Sequence, residues 1–187
     1  MPENREIEIK FLLTDPDNIV KKLEALGAQY HGEVFQKNLS FDTPDKKVDN
    51  NGGYLRVRSA GKNTITLKSK LKTENPRFKE EKELEVEIGD ADKMALILEE
   101  LGFTKKRMVE KYRKDWSFEG AEISMDRLPF ATYLEIEGSE ESIENAAEKL
   151  GLKIEDGSVE SYGHIWREYK KAHGIEKHDI LFEDSAS

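Results

Sequence analysis

Glu6-Ile7-Glu8-Ile9-Lys10 sets a charge at every second position, with isoleucines between. Period-two alternation marks a β-strand with two unlike faces, here one apolar and one carrying carboxylates and a cation. Four later stretches repeat the pattern: Leu55-Arg56-Val57-Arg58, Glu83-Leu84-Glu85-Val86-Glu87, Glu110-Lys111-Tyr112-Arg113 and Leu134-Glu135-Ile136-Glu137. Carboxylates fall on some of these strands and cations on others. If the strands are neighbours, their charged faces meet as a site for metal ions and a polyanion.

Working outward, the chain of 187 residues suits one domain with a proper core. We expect that domain over 1–174, and a polar, flexible tail over 175–187. The formal net charge of −9 argues against general nucleic-acid binding, although converging cations can still hold a phosphate polyanion. The absence of cysteine excludes disulfides and thiolate metal sites and points to a reducing compartment. No apolar run reaches the length of a membrane span and no signal-peptide core is present. A cytoplasmic location without a membrane partner is therefore expected.

The elements alternate along the chain. Residues 5–13 read as a strand, and Asp15-Pro16-Asp17 opens a helix that runs to Gly27. Strands follow at 33–43, 54–59 and 64–68, the last two joined at Gly61-Lys62-Asn63 as a hairpin. After a strand at 79–88, Asp90 caps a helix ending at Gly102, with Met94, Ile97, Leu98 and Leu101 as its expected buried stripe. Strands at 104–118, 121–127 and 132–137 precede helices at 140–150 and about 158–172. So many antiparallel strands with amphipathic helices indicate an α+β fold built on a curled sheet or barrel. With the apolar strand faces turned to the helices, the charged faces are left to open solvent or to a wet channel. A barrel of about eight strands can hold a small ligand.

Taken singly, each alternating stretch reads as an ordinary solvated sheet face. Their joint occurrence reads otherwise, because a solvent face does not sort carboxylates and cations by strand. Arg56 and Arg58 beside Lys68 form a concentrated basic patch that calls for an anion or for carboxylates. Elsewhere, Lys79-Glu80-Glu81-Lys82 reads as the solvated start of a strand. Trp116, Phe118 and Trp166 read as packing residues. His31, His164, His173 and His178 have no ligand spacing.

At this point the chain resembles the CYTH family, the triphosphate tunnel metalloenzymes, over nearly its whole length. Glu6, Glu8 and Lys10 match the family's N-terminal Glu-x-Glu-x-Lys signature. Further matches are Phe41-Asp42-Thr43-Pro44, Arg56-Val57-Arg58, Thr66-Leu67-Lys68, Glu83 to Glu87, Lys111-Tyr112-Arg113, Asp126, Glu135-Ile136-Glu137 and Ser161-Tyr162. The resemblance implies an eight-stranded antiparallel closed β-barrel, a triphosphate tunnel, with helices packed outside. Its implied cofactor is Mg²⁺ or Mn²⁺. Its implied partner is ATP, tripolyphosphate or thiamine triphosphate, and a homodimer is compatible with it.

The roles it implies suit the chemistry of each residue. Glu6, Glu8, Glu135 and Glu137, with Asp126, form the metal set, because hard divalent cations prefer carboxylate oxygens. Among Glu83, Glu85 and Glu87, Glu85 is the best candidate for a second metal site and for a catalytic role. Arg56, Arg58, Lys10, Lys68, Lys111 and Arg113 bind the phosphates. Lys111, crowded by cations, is the candidate for orienting or activating the nucleophile; its plainer role is one more phosphate-binding lysine. The first reading is a class IV adenylate cyclase-like protein that turns ATP into cyclic AMP and pyrophosphate. The alternatives are a tripolyphosphatase or thiamine triphosphatase and, third, a non-catalytic polyphosphate- or nucleotide-binding module.

Overall fold

A computed structural model describes residues 5–72 and 75–183. Eight strands run β1 (Arg5–Leu13), β2 (Gln29–Asp42), β3 (Gly53–Ser59), β4 (Asn63–Lys70), β5 (Lys79–Ile88), β6 (Thr104–Phe118), β7 (Ala121–Arg127) and β8 (Thr132–Glu137). They close into a barrel in the order β1-β5-β4-β3-β2-β6-β7-β8, every pairing antiparallel. The described helices are α1 (Pro16–Ala25), α2 (Lys47–Asn50), α3 (Ala91–Glu100), α4 (Glu140–Leu150) and α5 (Tyr162–His173). The expected α+β barrel with outer helices is the fold observed.

Alternation decides which way each residue points. Ile7, Ile9 and Phe11 of β1, Ile123 and Met125 of β7 and Leu134 and Ile136 of β8 all turn outward, under α1 and α4. Helix α1 begins where the Asp15 carboxylate accepts from the Asn18 amide at 3.1 Å, with Pro16 in its first turn, and it buries Ile19 and Leu23. Helix α4 is capped by Ser139 and ends at Gly151, whose φ of 72° is the left-handed turn that glycine adopts freely. Ile136, Ile143, Leu134 and Leu150 are fully buried here, each contributing about 1.5–3 kcal/mol.

The second cluster lies under α3, where Phe41, Leu55 and Val57 meet Ala91, Ala95 and Leu98. This corrects the expected stripe: Leu98 is buried and Met94 packs at the margin, but Ile97 and Leu101 are 52% and 70% exposed. The small side chains of Ala91 and Ala95 let the helix lie close on the curved sheet, so the contact line runs through them. On neighbouring β5, Leu84 and Val86 also face outward and are exposed, since no described helix covers them.

A third cluster ties the C-terminal region to the barrel through Trp166, Leu128, Tyr133 and Ile180. Within 175–183, expected as part of a loose tail, the stretch around Ile180 docks on the barrel while Glu176, Lys177 and His178 stay exposed. Ile180 is buried and bridges Val109, and its backbone oxygen accepts from the Glu110 amide at 2.8 Å. The apolar Ile180-Leu181-Phe182 supplies the reason, with Phe182 against the rings of Tyr112 and Phe35. No described helix is long and apolar enough to cross a membrane.

Candidate active site

The other faces of the strands enclose a cavity of about 980 Å³ along the barrel. Register brings carboxylates together on three adjacent strands. Glu8 lies opposite Glu137 and Lys10 opposite Glu135 on β8, while Glu6 lies opposite Glu81 and Glu8 opposite Lys79 on β5. Most of the cations come from the remaining strands: Arg56 and Arg58 from β3, Lys68 from β4, Lys111 and Arg113 from β6.

Lysines are threaded through the carboxylate wall. Lys68 pairs with Glu6 and lies 2.7 Å from Glu83. Lys10 Nζ sits 3.2 Å from Glu8 and 3.6 Å from Glu135. Lys79 Nζ sits 2.9 Å from Glu8 and 2.6 Å from Glu81. Burial pushes Glu8 upward, but Lys10, Lys79 and Lys68 outweigh it and lower the carboxyl to about 2. Glu6 goes the other way: burial, with crowding by Glu8, Glu83 and Glu137, overrides Lys68 and raises it to about 8. Burial and neighbouring carboxylates raise Glu137 too.

This wall therefore holds more carboxylate than its lysines neutralise. Hard oxygen donors in such excess fit a divalent cation, and Glu6, Glu8, Glu135 and Glu137 are the residues that would hold it. Among the described residues, no three acidic or histidine side chains converge closely enough to cage an ion on their own.

The cation wall is organised differently. Arg58 Nε donates to Asn38 Oδ1 at 3.1 Å, and burial with neighbouring Arg56 and Arg113 lowers its guanidinium to about 10. Arg56 donates to the Thr66 hydroxyl at 3.1 Å, which in turn donates to Glu85 at 2.6 Å. Arg113 grips Asp126 with two bonds of 2.6 Å and also pairs with Glu135. Lys111 Nζ donates to the same Asp126 at 2.6 Å. Burial and then Arg113 push Lys111 down to about 8, against the pull of Asp126 and Glu135.

The start of helix α5 lines the cavity through Tyr162, Gly163, His164 and Arg167. Gly157 approaches Ile9 so nearly that a Cβ there would clash, which lets Ser158 exchange backbone bonds of 2.8 and 3.0 Å with Lys10. Ser161 then caps the helix and delivers Tyr162, whose ring lies 5.5 Å from Lys10 Nζ and 5.3 Å from Lys111 Nζ. Arg107 ties this segment to β6 by donating to the carbonyls of Gly163 at 3.1 Å and His178 at 3.2 Å.

The CYTH domain family model matches residues 4–162, which takes in the whole barrel and both charged walls. The chain belongs to the CYTH family. Among its CYTH relatives, a Methanocaldococcus jannaschii protein named "Putative adenylate cyclase" is 30% identical over 136 residues, 72% of this chain and 77% of that one. The solved structure of the PH1012 protein from Pyrococcus horikoshii is 30% identical, with a TM-score of 0.72, covering 84% of this chain and 96% of its own. At 22% identity, a Hippeastrum protein supports the fold alone, with a TM-score of 0.64 and coverage of 88% and 96%. That protein is described as a "putative adenylyl cyclase" with a dominant triphosphatase activity.

The CYTH barrel brings the expected residues together with two exceptions. Glu6, Glu8, Lys10, Glu135 and Glu137 line the cavity, as do Arg56, Arg58, Lys68, Glu85, Lys111 and Arg113. Glu87 does not; it pairs with Lys62 in solvent. Asp126 does not either, being fully buried behind Lys111 and Arg113. The run at 79–82 needs correcting, because Lys79 and Glu81 line the cavity and Glu80 is buried. Stepping back by twos from Glu83 would have placed Glu81 and Lys79 on the same face. Asn38 and Thr66 had a weaker signal, each being in phase with residues that face the lumen.

Proposed function

We propose that this CYTH protein is a divalent-cation-dependent enzyme that breaks a phosphoanhydride bond of a triphosphate held in the tunnel. The first reading is an adenylate cyclase that converts ATP to cyclic AMP and pyrophosphate. The observation that carries the triphosphate assignment is the meeting of the two walls. Arg56, Arg58, Lys68, Lys111 and Arg113 face a carboxylate cluster whose Glu6 is raised to about 8 by burial and by its neighbouring carboxylates. An anion alone would need only the cations.

Each residue then has a task. Arg56 and Arg58 present planar forks to phosphate oxygens, and Lys68 and Lys10 add point charges along the chain. Preorganised charge of this kind, with positioning of the reacting oxygen, supplies most of phosphoryl-transfer catalysis. Lys111 Nζ, lowered to about 8, takes the proton from the attacking hydroxyl. In cyclisation the ribose 3′-oxygen bonds to the α-phosphorus, and the bond to the bridging oxygen breaks to release pyrophosphate. When bound at Glu6, Glu8, Glu135 and Glu137, a divalent cation supplies charge neutralisation and polarisation of the phosphate. Glu85 is reassigned to a supporting task, since its partners are Thr66, Thr64 and Arg56.

A second reading is hydrolysis of tripolyphosphate or thiamine triphosphate, with water as the nucleophile and the terminal phosphorus as its target. The polar and charged character of the lumen favours it, because a triphosphate alone uses these groups fully. Incubation with Mg²⁺ or Mn²⁺ and each of the three substrates separates the readings. Cyclic AMP with pyrophosphate establishes the cyclase, and orthophosphate establishes hydrolysis. Measurable tripolyphosphate binding with no turnover would sink both.

A further inference from the structure

Asp126 is the most completely enclosed charge of the described barrel. Its exposure is 0%, and it contributes nothing to the cavity wall. An ionised carboxylate offers about four acceptor sites on its two oxygens. Here four bonds reach them, three on Oδ2 and one on Oδ1. Arg113 Nε reaches Oδ1 at 2.6 Å, and a terminal nitrogen of Arg113 reaches Oδ2 at 2.6 Å. Lys111 Nζ donates to Oδ2 at 2.6 Å, and the Tyr162 hydroxyl donates to the same oxygen at 2.9 Å. All three donor residues line the cavity, standing between the carboxylate and any ligand. A metal ion would have to strip those donors away and leave two buried cations unpaired, at a cost of several kcal/mol.

We infer that Asp126 is not a metal ligand but a positioning residue, which aims Lys111 and Arg113 at the triphosphate and ties the start of α5 to the cavity wall through Tyr162. The three donors come from different places, two from β6 and one from α5. A single anion thereby couples the seating of α5 to the orientation of two phosphate-facing cations. Tyr162 serves the same arrangement from the other side, with its ring over Lys10 and Lys111 and its hydroxyl on Asp126. Burial and the adjacent Asp126 raise the phenol well above its ordinary value, so it stays a donor at every working pH.

The inference rests on the triphosphate reading for its readout of turnover, but its deciding measurement does not. Mn²⁺ binding to the full chain without substrate is measured by calorimetry or electron spin resonance for wild type, Asp126→Asn, Tyr162→Phe and Glu6→Gln/Glu8→Gln. The two variants of the Asp126 group should keep wild-type Mn²⁺ affinity within about threefold, while the glutamate pair loses at least tenfold. For triphosphate, Asp126→Asn should lower kcat/KM by about a hundredfold. Tyr162→Phe, which removes one hydrogen bond and no bulk, should lower it about three- to tenfold.

A tenfold loss of Mn²⁺ affinity in Asp126→Asn would overturn the inference, and so would wild-type kcat/KM in Tyr162→Phe. Loss of activity only in step with loss of folded protein would also overturn it, by reducing Asp126 to a fold-holding charge. If wild type turns over no triphosphate, the functional reading fails by itself. Tripolyphosphate affinity then replaces turnover, and Asp126→Asn should weaken it with Mn²⁺ affinity unchanged.

Discussion

The two walls of the tunnel hold similar charges under opposite regimes. On β8, β1 and β5, carboxylates crowd one another. Glu6 is driven up to about 8, and Lys68, Lys10 and Lys79 are each shared between two of them. Across the lumen each arginine has its own support: Asn38 for Arg58, Thr66 for Arg56, Asp126 for Arg113. The cation wall is built before a ligand arrives. The carboxylate wall holds acids that its lysines only partly offset. The contrast teaches that, on the proposed reading, anion affinity and cation affinity belong to different parts of one barrel and should be removable separately.

The largest test of that separation is Glu6→Gln/Glu8→Gln. Turnover should fall by at least about a hundredfold together with Mn²⁺ affinity, while the fold persists by circular dichroism. Unchanged activity would break the metal assignment. Next, Arg56→Ala should weaken triphosphate binding by about 1.5–3 kcal/mol, roughly ten- to a hundredfold in KM, with Mn²⁺ affinity unaltered. A parallel loss of both affinities would mean the walls do not act independently.

The pH profile sharpens the comparison further. Lys111 accepts a proton only when neutral, and its value is lowered to about 8. The rate should therefore climb roughly twenty-five-fold from about pH 6.5 to 8.5 and level above about pH 9. Lys111→Gln should flatten the profile; an unchanged rise would remove Lys111 from the proton transfer. On the opposite wall the folded value of Glu6 lies above its ordinary 4.5. Stability tied to its proton is present below about 4.5 and is lost as pH rises through about 8. Metal-free Glu6→Gln should then melt about 2–4 °C above wild type near pH 9 and level with it near pH 4. The smallest effect belongs outside the barrel: Val86→Thr, 63% exposed, should shift stability by less than about 0.5 kcal/mol by chemical denaturation.

Much of the site was legible because a strand's period of two is strict. Glu6, Glu8 and Lys10 share a face whatever surrounds them, as do Arg56 with Arg58, Lys111 with Arg113, and Glu135 with Glu137. Where the reading stopped at a composition change, it lost residues still in phase, as at Lys79 and Glu81. Helix α3 was misjudged for another reason. Its apolar positions outnumber those that the curved sheet can cover, and alanine packing, not hydrophobicity, chose the contact line. The segment around Ile180 looked polar as a whole, while three apolar residues were enough to dock it.

By itself the sequence determined a barrel stave at each alternating stretch, the sorting of charges by strand, and the kind of ligand those charges suit. These are local matters of period and chemistry. Only the tertiary structure decided which charges line the cavity and which are spent inside the protein. Asp126 and Asp42 show this. Each stands in a motif, and each is buried. Asp126 is held by Lys111, Arg113 and Tyr162, and Asp42 accepts from the backbone amides of Thr43, Val48 and Asp49. Closing a barrel brings donors from distant strands onto one carboxylate, and whether an oxygen remains free for a ligand is set by those neighbours, which spacing along the chain does not encode.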